Sequence, residues 1–185
     1  EDIDEEGRIL IFEYADFILL NTYAPCSGMQ AQRKGYRLRY EKKLNEVMEK
    51  LDKTGKPLIY VGDLNVARRT CDVHSKKLTN LPGVFPWERE ALELKLNKFG
   101  LVDVFTALYP REAVNLYTWY KTIYDHRKRK GWRLDYCLAP PTLLDQKSEV
   151  HITGITTRQR CFGSDHVPLV IQFNKKRKKK ERRKE

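Results

Sequence analysis

Two short stretches near the start of the chain, Arg8 to Tyr14 and Phe17 to Tyr23, are rich in β-branched and aromatic residues and flank Ala15-Asp16. Such runs joined by a tight turn predict a β-hairpin feeding a sheet. Pro25 and Gly28 stop the second strand. The period then changes: Tyr36, Tyr40, Leu44, Val47, Met48 and Leu51 recur with Lys, Arg and Glu between them, which predicts an amphipathic helix ending near Gly55. Pro57-Leu58-Ile59-Tyr60-Val61, closed by Gly62-Asp63, is apolar on both faces, as expected of a strand buried between layers. Residues 67–86 carry no sustained period and contain Asn80, Pro82, Gly83 and Pro86, so a long loop is expected, and loops of that length in compact domains are commonly functional. Pro86 near the start, Glu88 and Glu90 in the first turn, Leu92, Leu96 and Phe99 on one face and Gly100 at the end predict a second helix. Leu116 to Tyr120, Leu134 to Leu138, Val150 to Ile155 and Val167 to Phe173 read as further strands. Strands separated by two helices predict an α/β sandwich.

The 185 residues, 41% hydrophobic and 33% charged, fit one domain with a real core and exclude a collagenous or wholly disordered polymer. No apolar run reaches the roughly 18 residues of a membrane span, and the first residues show no basic and apolar signal-peptide pattern. Charge changes the picture more. The chain carries +11, of which the nine basic and two acidic residues of Lys175 to Glu185 supply +7. Five acids within Glu1 to Glu6 mask a net +9 between residues 7 and 174. The body is therefore basic without its tail, which favours a polyanionic partner such as nucleic acid. The expected organisation is a domain over 1–174 and a basic, disordered tail over 175–185, whose Lys/Arg cluster suits nuclear import or non-specific DNA affinity. Cys26, Cys71, Cys137 and Cys161 form no CxxC pair or zinc spacing and read as reduced thiols.

Three clusters can carry chemistry. In Gly62-Asp63-Leu64-Asn65, a carboxylate and an amide two apart at a strand end can aim oxygens into one pocket, as Mg²⁺ requires; a plain strand-ending turn uses the same residues. In Gly163-Ser164-Asp165-His166, an imidazole beside an acid can move a proton near neutral pH, although a lone His at a strand start is often only hydrogen-bonded. In Gly131-Trp132-Arg133-Leu134-Asp135-Tyr136, alternation sets Arg133 and Asp135 on one face, either as an exposed ion pair or with Asp135 fixing the tautomer of a catalytic His.

The order of these clusters, preceded by Asn21-Thr22-Tyr23-Ala24-Pro25, resembles the exonuclease III type of abasic-site endonuclease in the endonuclease/exonuclease/phosphatase superfamily. The resemblance runs from Glu6-Gly7-Arg8 to Phe173 and includes Pro86-Trp87-Glu88-Arg89 before the second helix. It implies a layered α/β sandwich of the DNase I / exonuclease III type that hydrolyses the phosphodiester 5′ to an abasic site in duplex DNA, with Mg²⁺, or alternatively Mn²⁺, as cofactor. By that resemblance Asp63 activates the attacking water, Asn65 orients it, and Asp165 belongs to the metal environment, with Asp63, Asn65 and His166 beside it. His166 contacts the scissile phosphate or accepts a proton and is held by Asp135, while Tyr23 aims its phenol at the phosphate or leaving oxygen. Trp119, Trp132 and Leu134 match an apolar pocket for the flipped, baseless sugar, Ile123 a wedge in the duplex, and Arg37 and Asn80 phosphate contacts. Two dense basic stretches, Arg33 to Lys43 and Lys121 to Arg133, match a phosphate track.

The sequence departs from the family pattern at Cys26, where relatives carry an amide, and it lacks the N-terminal Asn-x-Asn strand motif and metal-binding Glu. The expectation is thus the C-terminal portion of such an enzyme, without its N-terminal strands, nuclear, not membrane-bound, and a monomer when the fold is complete. The rival functions are another phosphoesterase of the superfamily, such as a retroelement endonuclease or a phosphatase, and a catalytically dead nucleic-acid-binding module.

Overall fold

A computed structural model describes residues 6–176. In chain order its elements are β1 (Ile9–Glu13), β2 (Ile18–Tyr23), α1 (Lys34–Asp52), β3 (Leu58–Asp63), α2 (Pro86–Lys98), β4 (Val102–Asp103), α3 (Val104–Leu108), α4 (Ile123–Arg127), β5 (Asp135–Ala139), β6 (Val150–Thr157) and β7 (Leu169–Lys175). The hairpin β1–β2 is antiparallel, and β2 then pairs in parallel with β3. A parallel neighbour needs a crossover, which α1 supplies. β3 is antiparallel to β5, β5 to β4, and the central sheet runs β1-β2-β3-β5-β4; β6 and β7 form a separate two-stranded sheet.

Strand alternation sorts the side chains into layers. Ile18, Leu20, Leu58, Tyr60, Tyr136 and Leu138 face Tyr40, Leu44 and Met48 of α1 and Leu92 and Leu96 of α2. Their neighbours Ile59, Cys137 and Ala139 point the other way, onto Val104 and Phe105 of α3 and Ile152 and Ile155 of β6. The result is helices, central sheet, second sheet. Gly62 lets β2 and β3 approach: at its φ of +126° a Cβ would lie 1.9 Å from the Thr22 carbonyl oxygen. Glu88, buried in the first turn of α2, accepts from the N–H groups of Gly83 (2.7 Å) and Phe85 (3.1 Å) and from the Ser27 hydroxyl, so it caps the helix and anchors the end of the long loop.

Several sequence expectations are corrected. Leu116 to Tyr120 does not form a regular strand; the segment makes only isolated bridges, Trp119 with Trp132 and with His166. The cause is local: the Thr118 hydroxyl accepts from the N–H groups of both Leu134 and Asp135 at 3.0 Å, replacing ladder bonds with side-chain ones. Arg133 is not on a basic surface but fully buried, ion-paired with Asp103 and 3.6 Å from Asp72. The tail does not begin at Lys175, because β7 includes that residue, which pairs with Asp16, and the Lys176 N–H donates to Glu149 O at 2.8 Å. The rest of the expected tail, 177–185, lies outside the described residues. β4, α3 and α4 have two, five and five residues, too few for a period to register. No helix among the described residues is long and apolar enough to cross a membrane.

β1 is an open edge. Leu10 pairs opposite Asn21 and Phe12 opposite Leu19, which puts both on the second-sheet side, where they are 52% and 45% exposed. The N–H and C=O groups of an apolar edge strand are a template for pairing with another chain. The protein is therefore expected to self-associate at micromolar concentration in light scattering. Phe12→Lys should shift it toward monomer while changing stability by no more than about 0.5 kcal/mol, as for an exposed position.

Candidate active site

The register builds the site. Tyr23 stands opposite Asp63 in the β2–β3 pair, and Asp63 opposite Asp135 in the β3–β5 pair. Three functional side chains thus form one row across adjacent strands, all on the second-sheet face. Ser164, Asp165 and His166, from the segment before β7, close over the row. Together with Arg8, Asn21 and Thr22 these residues line an open cleft of about 600 Å³.

Within it, His166 Nδ1 lies 2.8 Å from Asp135 Oδ2 and its Nε2 lies 3.8 Å from Asp63 Oδ2. A carboxylate only accepts, so Nδ1 carries the proton and Nε2 is the atom presented to the cleft. The His166 N–H donates to Ser164 Oγ at 3.1 Å, and the Trp119 indole N–H donates to Asp165 Oδ2 at 2.9 Å. At the end of β3 the chain turns through Asn65 at φ +47°, a left-handed conformation that Asn tolerates. That turn sends the Asn65 N–H to Asp63 Oδ1 (2.9 Å) and its side-chain amide to Ala24 O (2.8 Å) and Asp63 Oδ2 (3.1 Å). Asn65 is therefore committed to holding Asp63 and does not line the cleft.

Burial, and next the charge of Asp135, push the Asp63 carboxyl up to about 6, against the opposing Asn65 N–H and the cations His166 and Arg37. Burial would lower the His166 imidazole, but its hydrogen bond to Asp135 and the charges of Asp135, Asp63 and Asp165 outweigh that and raise it. The site thus sets a carboxyl whose ionised form burial disfavours against an imidazole whose charged form its acidic neighbours favour. A divalent cation in the cleft would need oxygen donors there. Among the described residues no three His, Cys, Asp or Glu side chains converge as a metal-holding group. The donors do fit a Mg²⁺ that keeps most of its shell as water and substrate oxygen, with one or two carboxylates. Asp63 and Asp165 are the carboxylates that could hold it; the Asn65 amide is engaged by Ala24 and Asp63, and the His166 ring nitrogen suits Mg²⁺ poorly.

The substrate-binding expectations separate. Arg37 is no surface phosphate contact: its guanidinium is 2% exposed and bonds to backbone carbonyls and Glu41. Asn80 is exposed on the long loop, and Ile123 is 53% exposed at the start of α4. Trp132 and Leu134 are packed with Val73 and Val84, and Trp119, edge-on to Trp132, rests partly exposed on that cluster. Beside the cleft a second cavity of about 440 Å³, lined by Tyr120, Ile123 and His126, shares Ser164 and Asp165 with it. Sequence reasoning passed over Arg8 as a site residue. Its guanidinium sits 4.8 Å over the Tyr23 ring and donates to Tyr23 O at 3.0 Å, fixing the phenol's approach; the Gly-Arg preceding the first strand was its only trace in the sequence.

The raised carboxyl has a stability consequence. Asp63 binds a proton more tightly folded than unfolded, so the stability of the metal-free protein falls as pH rises from about 4 to 6. Asp63→Asn removes that loss. In EDTA it should be more stable than the parent by on the order of 1–3 kcal/mol at pH 7.5 and by little at pH 4, as read by urea unfolding.

Residues 8–166 match the model of the Endonuclease/Exonuclease/phosphatase family. The chain is similar to Recombination repair protein 1 of Drosophila melanogaster (35% identity over 94% of this chain and 25% of that protein). It is also similar to the exodeoxyribonuclease of Bacillus subtilis strain 168 (33% identity, 94% and 67%). Its fold matches the crystal structure of the AP endonuclease from Leishmania major with a TM-score of 0.80 at 28% identity, over 94% of this chain and 56% of that one. The chain thus spans between a quarter and two thirds of the length of these relatives. The family match across most of the sequence and the layered α/β sandwich shared with that structure agree: the chain belongs to the Endonuclease/Exonuclease/phosphatase family.

Proposed function

We propose that this chain acts in DNA repair as a Mg²⁺-dependent endonuclease that hydrolyses the phosphodiester 5′ to an abasic site in duplex DNA. The observation that carries the proposal is the Asp63–His166–Asp135 relay beside the Tyr23 phenol, in one open cleft, in a chain similar to named AP endonucleases. Phosphodiester hydrolysis needs a proton taken from water on one side of phosphorus and negative charge compensated on the equatorial and leaving oxygens. Asp63 takes the proton as the water oxygen bonds to phosphorus. The His166 Nε2–H, held in place by Asp135, faces a non-bridging phosphate oxygen. Tyr23, held by Arg8, donates toward the departing 3′ oxygen as the P–O bond breaks. When bound, Mg²⁺ on Asp63 and Asp165 would add positive charge at the phosphate.

On the substrate side, Trp119 and the adjoining cavity receive the extrahelical sugar, with Trp132 and Leu134 backing them from the core. An abasic nucleotide leaves the helix most cheaply because no base must be unstacked. Ile123 inserts as the apolar wedge, and Asn80 with the exposed Lys121, Arg127, Lys128, Arg129 and Lys130 contacts phosphates. The basic run from Lys175 to Lys180 directs the protein to the nucleus.

The test is a duplex with one abasic-site analogue beside the same duplex without it, each with Mg²⁺ and with EDTA. Nicking 5′ to the lesion, only with Mg²⁺, is expected. Equal nicking of both duplexes would point to another phosphoesterase of the family, and salt-sensitive binding without nicking to a binding module. His166→Ala should lower the single-turnover rate by on the order of 10²–10³-fold. Asp63→Asn should lower it at least as far, because an amide cannot take the proton of the attacking water.

A further inference from the structure

Arg37 and Arg133 are the largest fully buried side chains among the described residues, and the Arg37 guanidinium reaches the backbone just after Tyr23 and just after Asp63. Its Nη1–H donates to Pro25 O and its Nη2–H to Leu64 O, both at 2.8 Å. Pro25 ends the turn that follows Tyr23; Leu64 sits between Asp63 and Asn65. Those two turns also touch directly, through Ala24 N–H to Asp63 O at 2.8 Å and the Asn65 amide to Ala24 O. Behind the fork, Arg37 Nε donates to Glu41 at 2.8 Å, and Glu41 is paired in turn with Lys95 of α2, which is 3% exposed. One planar group therefore spans two active-site turns and is itself braced by α1 and α2.

We infer that Arg37 is a positioning residue that sets the separation of the Tyr23 and Asp63–Asn65 turns. A surface phosphate contact cannot be made from this depth. A lysine at the same place would supply the charge but only a single point of attachment, whereas the guanidinium fork holds two carbonyls at a fixed distance. The consequence for the reaction rests on the phosphodiesterase reading of the cleft; the consequence for the two turns does not.

Arg37→Lys tests both. Amide exchange of Ala24 and Asn65 should accelerate by at least about tenfold relative to Ile59 and Leu138 in the central sheet, a local opening that a general loss of stability would not produce. With abasic duplex, kcat should fall by at least about tenfold and KM change by less than about threefold, because misplacement of reacting groups costs rate. The salt dependence of duplex binding should stay unchanged, where loss of a phosphate contact would reduce the slope by about one. Lys95→Met is the control: it leaves the fork in place, and exchange at Ala24 and Asn65 should move only with the sheet. Unchanged relative protection in Arg37→Lys, or a KM effect with a reduced salt slope, overturns the inference. A parent that does not nick overturns the functional reading and leaves exchange to decide the role of Arg37. Should Arg37→Lys not fold, Arg37→Ala refolded with methylguanidinium serves instead: recovery of protection with that ion and not with methylammonium supports the fork, and equal recovery with both overturns it.

Discussion

Two carboxylates, Asp63 and Asp135, face each other directly across the β3–β5 ladder. Like charges in that position are destabilising, and partial burial makes them more so. The surroundings of the pair answer this constraint. His166 lies against both, and the Asn65 turn brings an N–H and an amide to Asp63. What remains uncompensated appears as the raised carboxyl of Asp63. The pair thus costs the fold stability and leaves the cleft with an electrostatic demand that a bound cation could meet. Keeping them opposed depends on the β2–β3–β5 register, and that register depends on Gly62, where any side chain would meet the Thr22 carbonyl.

The basic residues divide between two uses. Arg37, Lys95 and Arg133 are buried, where each is held by carboxylates: Arg37 and Lys95 by Glu41, Arg133 by Asp72 and Asp103. Loss of one partner from such a pair strands a buried charge, which is why these residues serve as struts between elements and not as general adhesive. Arg37 ties together the backbone after Tyr23 and after Asp63, and Arg133 ties Asp72 of the long loop to Asp103. Others, such as Lys121, Arg127 and Lys130, are exposed on the surface. The basic charge of the body therefore overstates the phosphate-facing surface.

The cleft lies on the second-sheet face of the central sheet, as do Leu10 and Phe12 of the open edge. Leu10 lines the cleft itself. The region where substrate would enter is therefore continuous with exposed apolar surface, so whatever covers β1 also borders the site.

Much of this was legible in the sequence because it depends on local periodicity. The hairpin, α1, β3, α2, β6 and β7 follow from alternation or helical spacing, and Gly62-Asp63-Leu64-Asn65 follows from the glycine that close strands require. The segment 116–120 departs from the strand its alternation predicts because Thr118 bonds by its hydroxyl, and periodicity contains no such information. The sequence also determined the chemical types available: carboxylates at 63, 135 and 165, an imidazole at 166, a phenol at 23. Only the tertiary structure decided which of them meet. Asp63 and Asp135 are 72 positions apart and adjacent in the ladder, whereas Arg37, which a basic run advertised as surface, is buried by the packing of α1 and α2. Residue type fixes what a group can do, but strand register and burial fix its neighbours, and neighbours set both its pKa and its role.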